Sequence, residues 1–169
     1  MHPRRNILEK IKNILIDKTD AESRVFLHRV NNISIENLPA ISVKVMRESA
    51  NIFSDTKRTY KRKLSVDIAI LAQSSEDVQE ITENVAQQVE SVILLNETLD
   101  DLVEDTQITD TDLNIETGNT DIGSSVLSFE VTYYTDHIKS FDDFVTAGVD
   151  IKNGNSNDSI SSSVISIPQ

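Results

Sequence analysis

The distribution of charge along this 169-residue chain is the feature that most limits how it can fold and assemble. Residues 64–138 contain no lysine or arginine, yet 17 of these 75 residues are aspartate or glutamate. The first 63 residues hold 14 of the 16 basic residues against 7 acidic ones, whereas the remainder holds 2 against 21. A chain polarised in this way favours contact with another copy of itself, or with a partner, in a fixed orientation. It is less typical of a protein that acts on a small molecule.

The composition and length predict one domain with one core and a few residues left over for a tail. The chain is 38% hydrophobic and 5% aromatic, so the core must consist mainly of Ile, Val and Leu. The absence of cysteine excludes disulfides and thiolate metal sites and fits a reducing compartment. No apolar run approaches the roughly 18 residues that span a bilayer, and charged residues interrupt any signal-peptide core. We therefore expect synthesis in the cytosol and no membrane partner.

Hydrophobic periodicity predicts two amphipathic helices. The first covers residues 3–17, where apolar residues recur at spacings of three and four: Ile7, Leu8, Ile11, Ile14 and Leu15. The second covers residues 75–95, with Ser74 as its N-terminal cap and one apolar stripe: Val78, Ile81, Val85, Val89, Val92 and Ile93.

Alternating or apolar segments predict four strands, at 40–46, 58–72, 106–116 and 124–135, and residues 24–30 could form a further short strand. We expect loops at 47–56 and 96–105 and a turn from Gly118 to Gly123. The basic start of the strand at 58–72 is too charged to be buried, which predicts a strand projecting beyond the sheet or one side of an exposed hairpin.

This order of elements is typical of an α+β fold. We predict a single domain, with an antiparallel sheet of about four strands and two helices packed on one face. The domain should cover residues 1–150, followed by a flexible extension at 151–169 that is rich in Gly, Asn, Asp and Ser.

The chain lacks the usual arrangements of catalytic residues. Its histidines, His2, His28 and His137, are far apart, and with four glycines a phosphate-binding loop could hardly be built. No serine lies in a nucleophile-elbow pattern. We predict no enzyme, no catalytic residue and no cofactor.

Acidic residues in the second half raise the question of a cation site. Asp100, Asp101, Glu104 and Asp105 cluster, and Asp110-x-Asp112-x-Asn114 is similar to a calcium loop. Ile115 stands where such a loop needs its turn glycine, however, and strand alternation explains the spacing better. We therefore predict no metal site and keep a cation- or small-molecule-binding regulatory module as the alternative from another class.

The basic run 57–63 has three interpretations: a solvated face, a phosphate contact, or a contact with an acidic surface of a neighbouring subunit. Tyr60 is its one aromatic residue, which disfavours a base-stacking platform. The first and third interpretations have comparable weight. A pI near 4.6 argues against binding nucleic acid through bulk charge.

Six segments share their order and spacing with one protein family. They are the helix at 4–11, RVFLHRV at 24–30, NLPAISV at 37–43, the long strand at 60–71, the helix at 75–95, and LSFEVTYY at 127–134. The second, third and sixth are similar to that family's RVFxxRV, LPAISVY and LxFEVxYxT segments. Over residues 4–150 the chain thus resembles the tail terminator proteins of long-tailed bacteriophages, of the lambda minor tail protein U type.

The resemblance implies a structural virion protein rather than an enzyme. Such proteins form a homohexameric ring that caps the tail tube protein, stops tube growth and provides the surface for a neck or head-completion protein. DNA passes through the ring without specific binding, and an acidic lumen would limit its adhesion. The expected locations are the head-proximal end of the virion tail and, during assembly, the host cytoplasm. Another head–tail joining or tail completion protein is the nearest alternative.

We select the basic residues around the strand at 58–72 as candidates for a subunit or tube interface, where exposed strands could pair with a partner's edge. They are Arg47, Lys57, Arg58, Tyr60, Lys61, Arg62 and Lys63. The segment 151–169 departs from the family pattern and could reach a neighbouring subunit or the head-side connector.

Overall fold

The computed structural model describes residues 2–28, 33, 35–56, 58–74, 77–116 and 121–136, and the backbone of 146–152 and 159–166. The chain divides into two compact units, residues 1–137 and 138–169. The elements of the first unit follow in chain order: helix α1 (Pro3–Leu15), strand β1 (Val25–Leu27), a 3₁₀ turn (Ile35–Asn37), strands β2 (Ala40–Ser54) and β3 (Thr59–Ser74), helix α2 (Val78–Leu94), and strands β4 (Asp105–Glu116) and β5 (Asp121–Asp136).

The strands form one five-stranded sheet in the order β1-β2-β3-β5-β4. Every neighbouring pair is antiparallel except β1 and β2, which are parallel over three residues. The predicted α+β class is confirmed. The sheet is mixed rather than purely antiparallel. The chain passes from β1 to β2 through a connection instead of a hairpin, so the two strands run in the same direction.

One face of the sheet and both helices enclose an aliphatic core. Alternate residues of β3 and β5 point into it, as the sequence pattern predicts: Leu64, Val66, Ile68, Ile70, Leu127, Phe129 and Val131. Ile7, Leu8, Ile11 and Leu15 of α1 and Val85, Val89 and Ile93 of α2 meet them from one side. The other sheet face carries mainly polar side chains, and we call it the open face.

The helix ends differ from the predicted ones by a few residues. Helix α1 starts at Pro3, whose missing N–H costs nothing in a first turn, and the backbone N–H of Arg4 donates to His2 Nδ1 at 3.3 Å. The predicted Ser74 cap of α2 is wrong. Asp77 caps the helix by accepting from the N–H of Glu80 at 2.9 Å, and Ser74 Oγ accepts instead from the N–H of Asp77 at 3.2 Å.

The loop predicted at 47–56 is also wrong, because residues 47–54 continue strand β2. They pair antiparallel with 59–65, so β2 and β3 make a long hairpin, as one of the two interpretations of the basic run predicted. The register shifts between Val45 and Arg47 and between Ile52 and Ser54. Each shift adds a residue to β2, which breaks the strict alternation that a sequence pattern can detect.

Gly123 was predicted to end a turn but is the third residue of β5; residues 117–120 of that turn lie outside the described part of the chain. It faces α2 at a close approach. A Cβ there would overlap Thr82 Oγ1 and lie 3.0 Å from Val78 Cγ2. The Thr82 hydroxyl is buried and donates to the carbonyl of Val78 at 2.7 Å, so it has little freedom to move away.

The second unit contains two antiparallel strands, β6 (Thr146–Lys152) and β7 (Ser159–Ser166). The domain boundary predicted after residue 150 falls inside β6. The flexibility predicted for 151–169 stays a prediction, since 153–158 and 167–169 lie outside the described residues.

Substituting Gly123 tests the close packing of α2 on the sheet. We expect Gly123→Ala to lower the free energy of unfolding by about 1–3 kcal/mol, as overpacking of a filled core usually does. Combining it with Thr82→Ala should cost less than the sum of the two single changes, because the added methyl group then has room. Chemical denaturation measures all three. Ser124→Ala, one residue further on, is the control and should change stability little; equal losses at both positions would contradict the packing described.

Candidate functional site

The β2–β3 hairpin continues past the outer strands of the sheet. Strand β1 pairs with β2 at 41–43, and β4 begins at Asp105, opposite Thr132. Beyond these points the sheet is three strands wide. We call this section, residues 47–54, 59–63 and 133–136, the hairpin arm. Six of the seven predicted interface residues lie in the arm or at its turn. The seventh, Lys57, is outside the described residues.

Strand alternation divides the basic run between two faces. Lys61 and Lys63 pair in register with Tyr134 and Thr132 on the open face. Tyr60 and Arg62 pair with Thr135 and Tyr133, on the face that the helices cover further along the sheet. The sequence therefore does not produce one continuous basic patch.

On the open face the two lysines are matched by acids of the second half of the chain. Lys61 Nζ lies 3.1 Å from Glu104 Oε2, and Lys63 Nζ lies 2.6 Å from Glu130 Oε1. The hydroxyl of Tyr134 donates to Glu104 at 2.9 Å. The hydrogen bond from Lys61, and after it the one from Tyr134, lower the pKa of Glu104. The same hydrogen bond to Glu104 raises the pKa of Lys61. The Lys61 ammonium also lies 5.6 Å from the centre of the Tyr134 ring.

On the opposite face Glu48 of β2 is the centre of a polar network. Its carboxylate lies 3.5 Å from Arg62 Nη1 and 3.4 Å from Arg4 Nη1, and it accepts a hydrogen bond from the hydroxyl of Tyr133. Arg62 Nε also donates to Thr135 Oγ1 at 2.7 Å. The Glu48 side chain is 12% exposed. The network thus joins the first turn of α1 to all three strands of the arm.

Burial and the hydrogen bond to Glu48 together raise the pKa of Tyr133 well above its usual range. The neutral phenol is therefore the form that fits the folded arm, because a phenolate would lie beside the carboxylate of Glu48.

Two of the predicted interface residues are exposed and have no ion-pair partner among the described residues. They are Arg47 and Arg58. Lys61, Arg62 and Lys63, by contrast, serve the subunit's own fold. The sequence shows the basic run 57–63, but it does not show the acidic partners of these residues, because the partners depend on strand register.

The arm also carries exposed apolar side chains that sequence analysis missed. Ile52 and Phe53, near its turn, are 53% and 62% exposed, and Met46, one residue before the arm, is 55% exposed; the Phe53 ring packs against Tyr134 with centroids 4.9 Å apart and the ring planes tilted by 60°. Exposed apolar groups clustered at a projecting tip are typical of a contact surface. The available signal was the Ile-Phe pair inside a segment that was predicted to be a loop.

The acidic residues considered for a cation are dispersed. Asp110 and Asp112 are exposed on β4, and Asp100 interacts with Lys10 and Asn96. Within the described ranges no group of three or more His, Asp or Glu residues is placed to hold a metal ion. His2 caps α1 and His28 follows β1 with a left-handed φ of 55°; His137 lies outside the described residues.

Comparison with models of known protein families finds no match, and comparison with curated protein sequences finds none either. No helix in the described part of the chain is long and apolar enough to cross a membrane.

The Tyr133–Glu48 contact predicts a specific dependence of stability on alkaline pH. Because the folded pKa is raised, Tyr133 contributes stability that is complete below its unfolded pKa of about 10 and is lost progressively as pH rises beyond it. Tyr133→Phe should therefore flatten the fall in the free energy of unfolding above about pH 10. Chemical denaturation between neutral and alkaline pH measures this slope. Tyr134→Phe is the matched control; an equal flattening in both variants would refute the assignment to Tyr133.

Proposed function

We propose that this protein is a bacteriophage tail terminator. In this role a homohexameric ring caps the last ring of tail tube protein, stops tube polymerisation and presents a surface to a neck or head-completion protein. The ring would sit at the head-proximal end of the tail in the virion and assemble in the host cytoplasm. DNA would cross the ring without specific binding, and no catalysis or cofactor is involved.

The hairpin arm is the observation that carries this proposal. An enzyme has little use for a projecting three-stranded arm with an apolar tip, whereas an assembly subunit needs a preformed contact element. Three ion pairs hold the arm in shape before a partner binds: Arg62–Glu48 joins two of its strands, and Lys61–Glu104 and Lys63–Glu130 join it to the rest of the unit. A rigid contact surface loses less conformational entropy on binding than a loop that must fold.

The ordered series of six segments supports the same conclusion independently. It extends over both helices and the strands that form the core. A ring also requires two unlike surfaces that fit each other. The segregation of charge along the chain can provide one basic and one acidic surface for such a pair.

Loss of the protein tests the proposal directly. In phage particles lacking it, electron microscopy should show overlong tails, and restoring the gene product should restore a single tail length. Native mass spectrometry of the purified protein with tube protein should detect a hexamer. Tails of normal length that fail to join heads would favour a joining or completion protein instead, and a strict monomer that never associates with tubes would contradict both roles.

The apolar tip provides a sharper prediction. We expect Ile52→Ser combined with Phe53→Ser to weaken tube capping and lengthen the tail distribution, while the melting temperature stays close to that of the wild type, because both side chains are exposed in the subunit. Tail lengths measured by negative-stain microscopy report the effect. Leu95→Ser is the matched control, since Leu95 is 88% exposed at the end of α2 and away from the arm. Lengthening by the control alone would place the tube contact elsewhere.

The two arginines of the run should respond differently to charge reversal. Arg58→Glu should weaken assembly and leave subunit folding intact, because Arg58 is exposed and lacks an acidic partner within the described chain. Arg62→Glu should lower the free energy of unfolding by roughly 1–3 kcal/mol, because it breaks charged hydrogen bonds and places a second carboxylate beside Glu48. Denaturation and analytical ultracentrifugation separate the two effects. Unfolding of the Arg58 variant would refute this division.

A further inference from the structure

Among the described strands of the first unit, the sheet has two edges with no further strand beside them, and these edges are similar in length. Strand β4 forms one edge along its 12 residues, Asp105–Glu116. At the other edge β1 covers β2 at 41–43, so that residues 44–54 have no outer neighbour among the strands described in this sheet. Each edge exposes a row of backbone N–H and C=O groups that can pair with another strand.

The two edges carry opposite free charge. Strand β4 holds four acids, Asp105, Asp110, Asp112 and Glu116, with no basic residue, and none of the four forms an ion pair with a described residue. On the free section of β2, Arg47 is exposed and unpaired within the described chain, while the acid Glu48 is turned inward to Arg4 and Arg62. The charged side chains without an ion pair among the described residues are therefore basic on this section of β2, Lys44 and Arg47, and acidic on β4.

The strand directions also match. Because β2 is antiparallel to β3, β3 to β5 and β5 to β4, strand β4 runs opposite to β2. A second copy related by rotation about an axis roughly along the strands would present its β4 antiparallel to β2. Since β1 occupies the space beside 41–43, the incoming strand must be shifted toward the hairpin arm. Such a stagger between neighbours is what tilted strands in a closed ring require.

We propose that the free section of β2, residues 44–54, pairs antiparallel with β4 of a second copy and so continues the sheet from subunit to subunit. This inference rests on the proposed ring and specifies its contact. The partner is another copy of this chain because the complementary edge, in length, direction and charge, belongs to the same molecule.

Charge exchange between the edges tests the pairing. Variant A carries Arg47→Glu and Asn51→Glu, which place acids on β2 facing the acidic β4 of the next copy; variant B carries Asp110→Lys and Asp112→Lys, which place two lysines in the middle of β4 facing Arg47 of the next copy. Each variant alone should lose the ring peak in native mass spectrometry and analytical ultracentrifugation. An equimolar mixture should regain it as an alternating assembly, because each acidic edge then meets a basic one. Controls place similar changes on α1, on α2 and in the turn after α2: Lys12→Glu with Asn84→Glu, and Glu83→Lys with Glu97→Lys.

The outcomes separate this contact from the proposed function. Recovery of rings in the mixture, with unaffected controls, supports the β2–β4 pairing. Rings formed equally well by A and B alone would overturn the pairing and leave the ring proposal standing. Failure of the mixture to recover, when the wild type forms rings and both variants are folded by circular dichroism, would also overturn it. A wild type that stays monomeric with tube protein present would overturn the proposed function itself, and with it this contact.

Disulfide cross-linking provides a second readout, since the chain has no cysteine of its own. Arg47→Cys is combined in turn with Asp110→Cys, Asp112→Cys or Asn114→Cys. Within one subunit β2 and β4 are three strand spacings apart, about 14 Å, which exceeds the roughly 7 Å limit for a disulfide. Oxidation should therefore give a ladder of linked subunits up to the ring, strongest for one of the three pairs. Absence of a ladder in an assembled sample, or equal ladders with Lys12→Cys in place of Arg47→Cys, would overturn the proposal.

Discussion

On the face that the helices cover, a single carboxylate, that of Glu48, joins the projecting arm to helix α1. In the strand register Glu48 lies level with Leu64 and Val131, which are the last aliphatic residues of the core in their strands. Further along the arm the helices no longer cover this face, so burial of apolar surface cannot hold the strands together. Glu48 takes over that role by engaging Arg4, Arg62 and Tyr133 at once. A carboxylate that is largely removed from water is stable only when it is fully paired, and this makes the network a strong constraint on the geometry of the arm.

The charge polarity of the chain is in the first place a property of the folded subunit. The second half has no cation before residue 139, so every ion pair its acids form within the chain up to that point needs a cation from the first 63 residues. The fold provides this in three described places, where Lys10 meets Asp100, Lys61 meets Glu104 and Lys63 meets Glu130. Exposed pairs of this kind add little stability one by one. Their effect is to engage Lys61 and Lys63 within the subunit, which leaves Arg47 and Arg58 as the candidate interface residues that form no ion pair with a described residue.

The sequence pattern predicted the parts of the fold that obey a simple period. Helix α2 and strands β3 and β5 each bury one regular face, so their apolar residues alone locate them. Residues 47–54 do not follow such a period, because two register shifts interrupt the alternation and pairing with β3, rather than burial, holds them in a strand. The same limit applies to the candidate site. Composition identified the basic run, but which of its members face Glu48, Glu104 or Glu130 depends on long-range register, and the apolar tip at Ile52 and Phe53 was hidden in a segment that was expected to be a loop.

The distribution of free charge on the two sheet edges restricts how copies can associate. Pairing of β4 with β4 would bring two acidic rows to one contact, and pairing of β2 with β2 would bring two unpaired arginines to one contact, so charge disfavours both symmetric dimers. Pairing of β2 with β4 brings opposite charges together and is directional, since each subunit keeps one free edge of each kind. Directional contacts of this type produce a ring when the rotation between neighbours closes and an open helical array when it does not. In the proposed ring, the twist and stagger of the sheet at the hairpin arm would set that rotation, which would link the network at Glu48 to the number of subunits.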